Sequence, residues 1–189
     1  MSFLKVVVIG GGAAGFFAAL SAKQHHPNAE VVLLEGSNKI LSKVKVSGGG
    51  RCNVTHSAFN IKDLIGHYPR GGAYLKKAFQ AFAVNDTVEW FETRGVRLKT
   101  EADGRMFPIT DDSQSVIDLF VEQSKQKGIE LRLSSKVKKL AWNDDQRVWE
   151  VRGEEDLIKA DKLIVATGGS PKLEGFAWLG EVGHTIVPP

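Results

Sequence analysis

FLKVVVIGGGAAGFFAALSAKQHHPNAEVVLLE, residues 3–35, decides the fold. Phe3 to Ile9 is a run rich in β-branched residues, the pattern of a strand buried on both faces of a parallel sheet. Gly10, Gly12 and Gly15 follow at once, with Ala13 and Ala14 between them. FFAALSAKQHH, 16–26, reads as a helix that Pro27 breaks. Glu30 to Leu34 is a second buried strand, and Glu35 closes it 20 residues past Gly15. Strand, glycine turn, helix, strand, acid is the order of a dinucleotide-binding unit. Gly10 permits the tight turn, Gly12 lets the backbone approach a pyrophosphate, and Gly15 lets helix and strand pack closely. The helix N-terminus, at Ala13 and Ala14, offers N–H groups and partial positive charge to phosphates. Glu35 is placed to accept hydrogen bonds from ribose hydroxyls, and its charge would repel a 2′-phosphate. The dinucleotide expected is therefore FAD or NAD, not NADP.

The chain does not continue as a standard NAD domain. After Glu35 comes GSNKILSKVKVSGGGRCNVTHSAFN, glycine-rich and without clear periodicity, made basic by Lys39, Lys43, Lys45 and Arg51. Helical spacing returns at 73–83, with Leu75, Phe79 and Phe82. Asp86 opens the next predicted helix, with Glu89 as its capping-box partner and Gly95 as its stop. Residues 96–110 read as two short strands joined at Asp103-Gly104. Asp112 or Ser113 caps a helix that runs to Lys127, with Val116, Ile117, Phe120 and Val121 as its buried stripe. A strand at 129–135 rejoins the parallel sheet. KVKKLAW, RVWEVRG and DLIKA then form an antiparallel meander, with Trp142 and Trp149 on a surface sheet. LIVATGG, 163–169, is a buried strand whose Thr167, Gly168 and Gly169 end where the first glycine loop ends, and so close over the same ligand. The expected class is α/β: a Rossmann-like three-layer fold with a parallel sheet and a three-stranded antiparallel β-meander crossover.

These motifs together look like a flavoprotein of the two-dinucleotide-binding-domain class. Within that class KVSGGGRCNVTH, NDTVEWFETRGVRLKTE and GRMFPIT resemble the BaiN-like flavoproteins, NAD(P)/FAD-dependent oxidoreductases. The resemblance covers nearly the whole chain. It implies FAD as cofactor and NAD(P)H as a candidate electron donor. It implies that residues 1–189 are an FAD-binding N-terminal portion of a longer protein, with an insertion and a C-terminal flavin segment following a point like Pro188-Pro189. It places Ser47, Gly48, Gly49 and Gly50 along the ribityl and isoalloxazine end, where side chains would collide with the ligand. It gives Arg51 to phosphate or reduced flavin, Asn53 to the flavin's polar edge and the backbone near Val137 to the adenine edge. Lys43 and Cys52 join the cofactor-binding set. Cys52 has no partner cysteine for a redox disulfide and reads as a small buried residue. In this chain alone the resemblance implies a folded core that holds FAD weakly or not at all, with a mobile or rearranged 44–56 run.

Composition bounds the alternatives. One cysteine among 189 residues excludes an intrachain disulfide and fits a reducing cytoplasm. No apolar run approaches the roughly 20 residues of a membrane span, and no signal-peptide pattern opens the chain. A net charge of +3 suits an anionic small ligand better than nucleic acid. The partner expected is a small-molecule substrate, with neither nucleic acid nor membrane. His25, His26, His56, His67 and His184 are scattered without zinc spacing, and no GxSxG elbow is present. A flavin-dependent oxidoreductase leads. A tRNA-modifying flavoprotein and a non-catalytic FAD-binding module are the alternatives.

Overall fold

The computed structural model describes residues 3–154, 156–170 and 173–187, so Pro188 and Pro189 lie outside the described residues. The chain divides into two compact units, 1–42 with 120–189, and 43–119.

The first unit is built on β1 (Lys5–Ile9), α1 (Ala13–His25) and β2 (Glu30–Leu34). Both strands are buried at four of five positions, which is why they read as apolar runs rather than alternating ones. They pair in parallel, Val7 opposite Val32 and Ile9 opposite Leu34. Side chains alternate across the sheet. Val7, Ile9, Val32 and Leu34 enter one core with Leu140, Val151, Ile158 and Ala160 of the meander. On the other face α1 buries Phe16, Ala19 and Leu20, and Phe16 meets Phe120 at 5.9 Å between ring centroids. Full burial of each such aliphatic or aromatic side chain contributes about 1.5–3 kcal/mol.

The second unit carries α2 (Ser42–Val46, entering from the first unit), a 3-10 turn over Ser47–Gly49, β3 (Thr55–His56), α3 (Ile61–Gly66), α4 (Gly72–Ala81), α5 (Val84–Glu92), β4 (Leu98–Thr100) and β5 (Arg105–Pro108). Its antiparallel sheet has the order β3-β5-β4. α6 (Gln114–Gln126) begins in this unit and ends in the first. The first unit then adds β6 (Glu130–Arg132), the meander β7 (Lys139–Asn143), β8 (Val148–Arg152), β9 (Leu157–Ala160), and β10 (Lys162–Val165). The parallel sheet has the order β10-β1-β2-β6, and the meander lies over it as a third layer, so the α/β three-layer expectation holds.

Several local expectations are corrected. The 163–169 strand is not fully buried: β10 is the edge of the described sheet, and Val165 is exposed. Asp86 does not open its helix. The helix begins at Val84, and the Asp86 carboxylate accepts the Ala83 N–H at 2.7 Å from the third position. In α6 the buried stripe takes Leu119 in place of Val121, which is exposed. The 43–53 stretch, expected to be irregular, opens as a helical turn. α3 has no forecast in the sequence pattern. Asn60 starts it by accepting the Lys62 N–H at 2.8 Å. Trp142 and Trp149 sit opposite each other on β7 and β8, edge to face at 5.4 Å. Among the described residues no helix is long and apolar enough to cross a membrane.

Candidate functional site: the first glycine loop

β1 ends and α1 begins across the glycines, and each glycine has its own reason. The Gly10 N–H donates to Leu34 O at 2.7 Å, and its φ of +113° is open to glycine only. A Cβ there would lie 2.4 Å from Ala166 O, so the segment after β10 passes directly against the loop. A Cβ on Gly15 would lie 1.8 Å from Gly10 O, which fixes how closely helix meets strand. Gly12 differs. Its backbone is extended, and a Cβ there would touch nothing within 4 Å. Protein packing does not require that glycine; the open space on its outer side does, if a ligand's phosphates approach there. Ala13 and Ala14 are exposed at the first turn of α1, which has no side-chain cap and no acid, so its N–H groups and dipole face outward.

Glu35 is held on both sides. Its backbone N–H donates to Arg132 O, and its carbonyl accepts from Ser135, both at 2.8 Å. One carboxylate oxygen accepts the Gly11 N–H and the other the Ser37 N–H, also at 2.8 Å. The acid therefore buttresses the glycine loop, and each oxygen retains a lone pair for another donor. A cavity of about 240 Å³ is lined by Gly10, Glu35, Lys136, Val137, Thr167 and Trp178, among others. It brings together Gly10, Glu35 and Val137, expected at the adenosine end, and Thr167, expected to close over the same ligand. Gly168, with φ +75°, and Gly169 are exposed and do not line it. Lys136 and Trp178 are additions; they sit in segments without motif character, and only the fold brings them here. A second, polar hollow of about 360 Å³ shares Gly36, Ser135, Lys136 and Val137 with the first.

The second glycine run belongs to the other unit. Lys43 is exposed on α2, and Asn53 is exposed after the turn. Ser47 Oγ donates to Val44 O at 3.0 Å, and Ser47 O accepts from the Gly50 and Cys52 N–H groups. Gly48, Gly49 and Gly50 have φ of +57°, +71° and +89°, and Cys52 follows at +64°. This left-handed course is itself a reason for three glycines. Only at Gly48 would a Cβ also strike protein, 2.6 Å from the Phe107 ring. Arg51, expected to serve phosphate or reduced flavin, is already engaged. Its guanidinium lies 4.0 Å over the Phe107 ring, pairs with the Glu101 carboxylate, and reaches Asp111 at 3.6 Å. Its Nε donates to Gly48 O at 3.3 Å. Arg51 and Phe107 thus grip Gly48 from its carbonyl and its Cα side. Cys52 is buried, and that burial pushes its thiol pKa up against a smaller opposing hydrogen bond to Ser47. Among the described residues no group of three or more His, Cys, Asp or Glu side chains could hold a metal.

This geometry has relatives. The chain is 27% identical to a 3-dehydro-bile acid delta(4,6)-reductase of Clostridium scindens, over 97% of this chain and 45% of that protein. It is 28% identical to a ribosomal RNA dihydrouridine synthase of Escherichia coli, over 89% of this chain and 40% of that protein. Its fold matches the open conformation of a flavocytochrome c3 fumarate reductase with a TM-score of 0.56 and 25% identity, over 90% of this chain and 34% of that one. The chain thus spans less than half the length of these relatives. Residues 4–189, covering both glycine runs, match the family described as the HI0933-like protein Rossmann domain, and the chain belongs to that family.

Proposed function

We propose that this chain is the FAD-binding Rossmann domain of a flavin-dependent oxidoreductase. The observation that carries the reading is the convergence on one cavity of Gly10, a doubly held Glu35, Val137 and Thr167, beside the open Gly12 and the bare N-terminus of α1. The residues fit the adenosine and pyrophosphate of FAD. The Gly12 to Gly15 turn meets the phosphates, where Ala13 and Ala14 keep side chains out of the way. Glu35 accepts from the ribose hydroxyls with the lone pairs left by Gly11 and Ser37. Val137 and Thr167 border the adenosine. Assignment of the Ser47 to Gly50 run and Asn53 to the flavin end, of Arg51 to phosphate or reduced flavin, and of Lys43 and Cys52 to the cofactor-binding set rests on the family resemblance. Bound FAD supplies hydride and electron transfer; the protein's part is to bind, orient and exclude water. NAD(P)H is the proposed donor, a small molecule the proposed substrate, and the cytoplasm the proposed compartment.

Glu35→Ala tests the reading. A charge-assisted contact is worth about 1.5–3 kcal/mol, so FAD affinity should fall about 10- to 100-fold. Titration of FAD by fluorescence quenching reads it; an unchanged dissociation constant sinks the assignment. Anaerobic reduction by NADH against NADPH then identifies the donor.

The Escherichia coli relative favours a second reading, a flavoprotein that acts on RNA. The first unit's cavity is the same in both readings. They differ in what the rest of the surface must bind.

A further inference from the structure

Residues 59–82 hold Lys62, Arg70, Lys76 and Lys77 against a single acid, Asp63. The chain has 25 basic and 22 acidic residues, so outside this segment they balance at 21 each. The whole net charge of +3 resides in these residues. Both of the chain's tyrosines, Tyr68 and Tyr74, are here too. Such a concentration of charge and rings is invisible in the average composition.

The fold presents these groups outward. α3 and α4 form a helical hairpin turned by Gly71 in the left-handed region. A Cβ on Gly72 would lie 2.9 Å from Ile65, so the two helices close tightly there. Phe79 packs on Tyr68 at 5.5 Å, and Phe79 and Leu75 make the half-buried inner side of α4. Tyr74 is 89% exposed, Phe59 48% and Tyr68 42%. Tyr74 and Lys77, three residues apart, share the outer side of α4. Lys62, Arg70, Lys76 and Lys77 are all exposed. The ion pairs among the described residues use Lys5, Arg51, Lys99, Arg105, Arg132, Lys138 and Arg152, and none uses these four cations.

We propose that the α3–α4 hairpin is a docking surface for single-stranded nucleic acid. Unpaired cations on flexible stems meet backbone phosphates, and exposed rings stack on unpaired bases without regard to sequence. Tyr74 shares the outer side of α4 with Lys77 and Ala78, while the neighbouring Leu75 is half-buried on the inner side, so that outer side lacks the apolar face that insertion into a lipid interface requires. The proposal rests on the second reading of function, which names the strand as RNA. It departs from the sequence expectation of no nucleic-acid partner, because that expectation averaged the charge over the chain.

The test is fluorescence anisotropy of the 189-residue chain with a labelled 20-nucleotide unstructured RNA and the matching DNA. Binding should weaken with salt, log K against log[salt] falling with a slope of about −2 to −3 for four phosphate contacts. Tyr74→Ala should weaken it about tenfold. The triple variant Arg70→Glu, Lys76→Glu, Lys77→Glu should abolish it. Lys125→Glu with Lys127→Glu, exposed at the end of α6 and in the turn after it, should leave most binding intact. Preference for RNA over DNA selects the strand; equal binding still supports the surface. No binding, equal loss in the α6 control, or binding to anionic phosphatidylserine vesicles but not oligonucleotide overturns the proposal. Circular dichroism verifies that each variant is folded. FAD titration keeps the two readings apart, since variants of this exposed hairpin should retain FAD affinity even if RNA binding is lost.

Discussion

The two glycine runs use one residue type for opposite reasons. In GGGAAG, Gly10 and Gly15 are glycines because backbone stands where a Cβ would go, 2.4 Å and 1.8 Å away. In SGGGR, Gly49 and Gly50 would meet nothing closer than 3.9 Å, yet their φ angles forbid an ordinary side chain without strain. The first loop is set by neighbours distant in sequence, through Ala166 and Glu35. The second is set by its own dihedrals and then gripped by Arg51 and Phe107. A glycine therefore signals backbone freedom or backbone proximity, and sequence does not say which.

Substitutions can break this contrast, beginning with the largest expected effect. Gly15→Val should leave no folded first unit, because neither the Gly10 carbonyl nor the strand behind it can yield 1–2 Å, and overpacking of this kind costs about 3 kcal/mol or more. Loss of the cooperative urea transition would be the readout. In the second unit the corresponding fixed point is Phe107, fully buried between Gly48 and Arg51. Phe107→Ala should cost about 3–5 kcal/mol by the usual cavity and transfer terms. A loss under 1 kcal/mol would mean that the clamp does not hold the run.

Gly12 and Gly49 sharpen the comparison, since a Cβ has open space at both. Gly49→Ala should cost about 1–2 kcal/mol, for the left-handed backbone alone. Gly12→Ala should change stability by less than about 0.5 kcal/mol and still weaken FAD binding. Equal destabilisation by the two would refute the distinction. Cys52 gives a smaller effect. Its burial and raised pKa predict slow alkylation by iodoacetamide at pH 8 in the native chain and fast alkylation in denaturant. Equal rates would show the thiol open.

The smallest effect is acid sensitivity. Lys99, with help from Arg51, holds the Asp111 carboxyl below its usual range. A lowered native pKa stabilises the folded state above the ordinary aspartate range of about 3.9, and the contribution disappears as pH falls through the native value. The melting temperature should therefore fall below about pH 4. Asp111→Asn should flatten that fall more than Glu154→Gln, because Asp111 joins a cluster with Arg51, Glu101 and Lys99, while Glu154 meets Lys138 alone among the described ion pairs. Identical profiles would remove the cluster from the account.

The strand, glycine turn, helix, strand and acid of residues 3–35 were legible because each is a local pattern: a β-branched run, a glycine spacing, a helix before Pro27. The meander was legible too, since its three strands sit next to each other in sequence and pair as they come. The 43–66 stretch was not, although the next helix, α4, was. α3 is six residues long, too short for periodicity to announce it, and α2 is shorter still. Val121 was assigned to the core by spacing, and Leu119 took its place, because which edge of an apolar stripe is covered depends on what lies against it.

By itself the sequence determined the α/β class, the parallel pair β1–β2, the acid after β2 and the glycine turn between β1 and α1, all consequences of backbone preferences acting within some thirty residues. Tertiary structure alone decided that β10 stands at the sheet edge, that Lys136 and Trp178 share a cavity with Gly10, and that Arg51 pairs with Glu101 fifty residues away. These depend on which segments meet in space. A charged side chain goes to whichever opposite charge and ring the fold brings within about 4–6 Å, and no local pattern encodes that distance.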